Sequence, residues 1–321
     1  MSAVGVWLGR IFLLLATFLL AIAAFAQTQD LGGKPQLQVN NDLLLSPNDI
    51  DKSFWANAKP YIDDPLPELQ AAVPELKGLD PTPSPEPLPS LLARVGDACV
   101  DLEQRMPNVI SHEEVITQTL HAKPWRQKFE YLMIPHRTPS SVELEEYRTD
   151  KLGRRVAAGD STAEGLLFSQ GFASDWVRFH PGNRSESRFR YLGQQEMDKH
   201  KTFVVAFAQI PDLVRFPGKL QFGGTWISTL FQGVVWIDSS DYRIVHMRED
   251  LLAPRPDIHL RTFTTKIHFD EVHISKAASS LWLPREVDLE LEFNERVFRQ
   301  RHVYSDYRLY VVKTRILPTS P

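Results

Sequence analysis

Residues 231–249, FQGVVWIDSSDYRIVHMRE, write a complete β-hairpin. Val234-Val235-Trp236-Ile237 is apolar at every position, Asp238-Ser239-Ser240-Asp241 supplies the Asx and Ser chemistry that reverses a chain, and residues 242–247 return with Ile244, Val245 and Met247. A half-solvated strand alternates between apolar and polar, and the first arm does not. Both of its faces must therefore be covered, one by sheet-packed core and the other by a helix or loop.

Other stretches supply parts for such a sheet. Trp125, Phe129, Tyr131 and Met133 alternate with Arg126, Lys128 and Glu130, and residues 142–148 are a plausible antiparallel partner. Residues 188–197 and 201–209 flank Asp198-Lys199-His200 as a second hairpin, whose returning arm Phe203-Val204-Val205-Ala206-Phe207 reads as deeply buried. Leu91, Val95, Ala98, Leu102 and Met106 recur at helical spacing, widened by Leu92 and Cys99, so residues 90–106 form an amphipathic helix that Pro107 stops. Residues 161–172 suggest a short helix and 176–179 an extended piece.

The hairpin also carries a resemblance. Gly233-x-x-Trp236-Ile237-Asp238, the polar turn, Tyr242-Arg243-Ile244 and then Leu283-Pro284-Arg285-Glu286 resemble the LolA/LolB-like proteins. Within that class the chain is similar to a group of secreted bacterial proteins, through residues 73–79 (VPELKGL), 187–193 (SRFRYLG) and 250–256 (DLLAPRP). The resemblance implies an α+β fold that is mostly antiparallel β, a strongly curved open barrel or half-barrel sheet packed on one or more helices. It also implies a cavity for acyl chains, and it carries no settled activity.

Residues 1–26 read as a secretory signal peptide: Arg10 precedes an apolar run over 11–25, and Ala24-Phe25-Ala26 gives the small-x-small pattern. The run is shorter than the ~20 residues that span a bilayer, so a cleaved signal and a periplasmic or secreted protein are expected, not an integral membrane one. No cysteine follows the run, which removes an acyl-anchored lipoprotein reading. The net charge is −4, and loss of Arg10 alone makes it more negative, so nothing attracts nucleic acid. Cys99 is the only cysteine and has no internal disulfide partner. Prolines at 60, 65, 67, 74, 81, 83, 85, 87 and 89 make residues 27–89 poor core material, a largely irregular arm. Short helical pieces are expected there around 68–73. The β domain is expected over residues 90–316, with 317–321 as a tail.

Candidate chemistry is sparse. Glu286, Asp288, Glu290 and Glu292 alternate with Val287, Leu289, Leu291 and Phe293, and a two-residue turn at Asn294-Glu295 would set Glu290 opposite Arg299, Asp288 opposite Arg301 and Leu291 opposite Phe298. Charge pairing then accounts for the acidic row. His268 and His273 invite a metal reading, but five residues apart they face opposite sides unless a bulge near Asp270-Glu271 intervenes, and no third ligand is assigned. No metal or cofactor is expected. Neither a nucleophile elbow nor a phosphate loop is present.

Residues 211–230 fit no regular element and carry more apolar surface than a solvated loop should. They are either a plug completing the core or a lid over a cavity. In the lid reading Phe216, Phe222, Trp226 and Ile227, with Trp236 of the neighbouring strand, bind an apolar ligand. Two functions follow. The first is a non-catalytic carrier of a lipid or acyl ligand; the alternative is an envelope interaction module with a filled core, binding a protein partner.

Overall fold

The computed structural model describes residues 52–119, 123–137, 142–156, 169, 171–215, 217–222, 225–275, 277 and 280–310. The expected signal peptide, most of the 161–172 helix, the 317–321 tail and Phe216 lie outside the described residues, as do the side chains of residues 219–227.

The helix Leu66–Ala72 (α1) falls where a short helical piece was expected, in the proline-rich arm. The helix Leu88–Arg105 (α2) starts two residues ahead of expectation because Pro87 and Pro89 suit a helix start, where no intrahelical N–H is needed. Its stripe Leu91, Leu92, Val95, Cys99 and Leu102 is buried.

Thirteen strands follow among the described residues. They are β1 (Val109–Thr119), β2 (Trp125–Arg137), β3 (Val142–Thr149), β4 (Arg155–Val156), β5 (Ser187–Met197), β6 (His200–Gln209), β7 (Gly218–Phe222), β8 (Thr225–Thr229), β9 (Phe231–Asp238), β10 (Ile244–Leu251), β11 (Leu260–Val272), β12 (Leu281–Phe293) and β13 (Arg296–Leu309). Eleven make one antiparallel sheet in the order β4-β3-β2-β1-β13-β12-β11-β10-β9-β6-β5, which curves around α2 and does not close. The expected α+β half-barrel is this sheet.

Both covers expected for the 234–237 arm are present. Val235 and Ile237 belong to the inner core with α2, whereas Val234 and Trp236 belong to an outer core. The hairpin β9–β10 turns on Asp238, whose carboxylate accepts the Ser240 N–H at 2.7 Å. Tyr242, expected in the second arm, instead sits in the turn at φ 64°. The β12–β13 register is the expected one, with Glu290 opposite Arg299, Asp288 opposite Arg301 and Leu291 opposite Phe298. Asn294 and Glu295 take the left-handed conformations of a two-residue turn (φ 49° and 60°).

Four expectations change. The proline-rich arm is core material after all: Trp55, Tyr61, Ile62, Leu69, Val73, Leu76 and Leu79 are buried against Val204, Ala206, Val234 and Trp236. Prolines forbid regular elements, but they do not stop short turns from presenting apolar side chains to a waiting sheet. The arm is also bonded down. Asp80 and Gln194 exchange backbone hydrogen bonds at 2.8 Å, a close approach that Gly193 permits at φ 149°, and Arg190 donates to the carbonyls of Ile62 and Asp64. Second, residues 211–230 contain a hairpin of their own, β7–β8, because Gly and Pro punctuate the stretch without breaking it. Third, the extended piece expected at 176–179 is a 3-10 helix, Asp175–Phe179. Fourth, the parity change at Asp270-Glu271 occurs, but the ladder slips between His268 and Phe269, where β12 carries the extra residue Arg285 beside Pro284. Pro284 has no N–H to give the ladder, so the irregularity falls there.

Candidate functional site

The inner face of the sheet is largely filled by the chain itself. At the β1–β3 end the filling is polar. Strand parity places Glu113 inward with Val109 and Val115, and it is fully buried. Its carboxylate accepts two hydrogen bonds from Arg148 (2.5 and 2.8 Å), one from His302 Nδ1 (2.8 Å) and one from Tyr304 (2.9 Å). Burial alone would raise its pKa, but Arg148 and His302 outweigh burial and hold it at about 2. Glu146 accepts from the Tyr131 hydroxyl and from the Ala173 and Ser174 N–H groups (2.9 Å each), and Arg148 donates to the Ser169 carbonyl at 2.6 Å. The network pins the segment ahead of the Asp175–Phe179 helix onto the sheet. A Glu-His-Tyr cluster of this kind could serve acid–base chemistry, but Glu113, His302 and Tyr304 are all sealed from solvent.

Farther along, the half-buried Asp175 and the buried Glu249 share one cation, Arg178, at 4.0 and 3.1 Å. Burial first, and then the charge of Glu249, raises the Asp175 carboxyl; burial, which outweighs Arg178 and is helped by Asp250, raises that of Glu249.

Between α2 and the sheet lies a slot of about 30 Å³, walled by Cys99, Leu102, Trp176, Ile244, Phe269 and Trp282. Arg105 and Arg243 line it as well; Arg105 is held by Asp101 and the Ser280 carbonyl, and Arg243 lies over the Trp282 ring. The Cys99 thiol donates to the Trp176 carbonyl at 3.8 Å, and burial above all, with Glu103 adding, pushes it up to about 12. That leaves it inert as a nucleophile. A wider depression of about 550 Å³, open to solvent and mixed in polarity, lies where the arm crosses Gln232, Arg248 and Phe263.

No protein-family model matches the sequence, and no curated protein matches it. Among solved structures, the chain is similar to a LolA superfamily protein from Nitrosomonas europaea, with a TM-score of 0.34 and 12% identity over 70% of this chain and 94% of that one. It is also similar to a DUF1329 family protein from Desulfovibrio piger, with a TM-score of 0.40 and 9% identity over 71% and 95%. The first of these comes from the class that the sequence motifs resemble.

Of the ligand residues expected from sequence, Phe222, Trp226 and Ile227 belong to β7 and β8, where the register pairs Leu220 with Ile227 and Phe222 with Thr225. Trp236 is fully buried in the outer core, its indole N–H donating to Gln195 at 2.9 Å, across the sheet from the slot. His268 and His273 do not meet; His273 is exposed beyond the end of β11. His268 instead faces His246 and Asp198, a convergence of possible ligands that was not expected. The pairing of His246 with His268 was hidden because it depends on how β10 and β11 align, whereas the parity of 109–119 in the sequence would have flagged Glu113 as an inward carboxylate.

Proposed function

We propose that this chain is a non-catalytic, extracytoplasmic binding protein that takes an apolar chain with an anionic head between α2 and the inner face of the sheet. The observation that carries this reading is the slot itself, whose walls are mostly apolar and whose lining includes Arg105 and Arg243. An acyl tail would replace the helix stripe against Ile244 and Phe269, and a carboxylate or phosphate head would meet the two cations. Because 30 Å³ is roughly a tenth of the smallest ligand pockets, α2 must move outward for a chain to enter.

The same volume favours a second reading, in which the interior is permanently filled and the protein is an envelope interaction module. Titration with a fluorescent fatty acid, together with mass spectrometry of lipid extracted from the purified protein, separates the two. Saturable binding that weakens in Arg243→Ala supports the carrier. A wild type that takes up no probe and brings down no lipid overturns it in favour of the module. Loss of uptake with unchanged melting in Trp226→Ala would instead place the ligand at the β7–β8 hairpin.

A further inference from the structure

The outer face carries a cluster that ligand binding in the slot does not use. The β10–β11 register sets His246 directly opposite His268, with ring centroids 4.2 Å apart. Asp198 opens the two-residue turn between β5 and β6 at φ 51°, and its Oδ2 lies 3.0 Å from His268 Nδ1. One donor atom from each of the three lies within 4.8 Å of the other two.

His246 is the informative member. It is 1% exposed, packed on the Trp236 ring, and neither Nδ1 nor Nε2 has a hydrogen-bond partner among the described residues. Burying a polar ring with both nitrogens unanswered is costly, and an apolar side chain would fill the same space without that cost. Burial first, then the charge of His268, brings its pKa down to about 3, so the ring is neutral and a lone pair is available. The charges around it are Asp198 and Glu75, which favour a cation, and Lys266, which opposes one but is ion-paired to Glu75 at 2.6 Å.

We propose that Asp198, His246 and His268 bind a divalent transition-metal ion of the zinc class. Two imidazole nitrogens and one carboxylate oxygen suit such an ion, and three protein ligands leave a fourth position for water on the exposed Asp198 side. Ligand atoms around a tetrahedral zinc lie roughly 3.3 Å apart, so the cluster must contract by at most about 1.5 Å. Asp198 and His268 can supply that by rotamer change, since 52% and 35% of their side-chain surfaces are exposed. The ion would replace the Asp198–His268 hydrogen bond and staple the β5–β6 turn to β10 and β11.

The test uses the untagged chain, stripped with a chelator and titrated with zinc, with bound metal measured by elemental analysis and stability by thermal melting. One equivalent per chain and a raised melting temperature are expected. His268→Gln and Asp198→Asn, both at accessible positions, should each weaken binding at least ~10-fold, whereas His273→Gln should leave it unchanged. Asn tolerates the left-handed turn, so Asp198→Asn reports on the site even if His268→Gln folds poorly. Stoichiometry well below one in the wild type, or binding untouched by Asp198→Asn, overturns the proposal. Neither outcome bears on fatty-acid uptake, which reads the other face of the sheet.

Discussion

Replacing Arg148 by Met should be among the most damaging single changes in the protein. Arg148 supplies two of the four hydrogen bonds that Glu113 accepts, and it is the cation that keeps that carboxylate ionised in a fully buried site. With Arg148 gone, His302 and Tyr304 still donate, but an uncompensated charge remains in the core and the Ser169 carbonyl loses its donor. Breaking a buried pair in this way costs about 3–5 kcal/mol, which for a chain of this size lowers the melting temperature by roughly 5–8 °C. The pH dependence has a definite sign. In the wild type the Glu113 carboxyl is depressed on folding, so its contribution is full above its ordinary pKa and is lost as pH falls toward about 2. In Arg148→Met burial dominates and the carboxyl protonates more readily, so the gap between variant and wild type should narrow as pH drops from 7 to 4. Urea and thermal unfolding at both pH values measure this. Adding Glu113→Gln should recover part of the loss, because it removes the stranded charge. A variant within about 1 kcal/mol of wild type at pH 7, or a loss that Glu113→Gln merely adds to, would refute the reasoning.

Three further outcomes are expected. Trp55→Ala should cost about 3–5 kcal/mol in denaturant unfolding, because Trp55 is 3% exposed in the outer core; a loss below 1 kcal/mol would make the arm a surface spacer. Glu290→Lys and Arg299→Glu should each cost at most ~1 kcal/mol, and the swapped pair should recover it in a double-mutant cycle, since the two groups meet at 2.6 Å on an exposed face. Glu249→Gln should raise stability at pH 8 and change it little at pH 5. Glu249 has a raised pKa in the fold, so its folded form is favoured at low pH and penalised as pH rises, and equal effects at the two pH values would contradict the shared-cation picture.

Much of the sheet could be read from the sequence because strand parity and turn chemistry are local. The acidic row of residues 286–292, the two-residue turn and the basic returning strand specify their own register, since a slip by one would bury Glu290 and expose Leu291. Helix α2 was equally legible from its 3.6-residue period. A run apolar at every position, 234–237, announced that both faces would be covered, but composition could not say by what. Only the tertiary structure decided that the proline-rich arm covers the outer face, because proline content reports which regular elements a segment cannot form and not which side chains it can deliver. The same holds for the charged groups. Glu113 and Arg148 sit on strands separated by β2, and Asp198, His246 and His268 come from a turn and two strands whose neighbours are set by the order of the whole sheet. Side-chain periodicity assigns each of them a face, but it cannot assign a partner, because partnership across a sheet depends on which strands lie side by side.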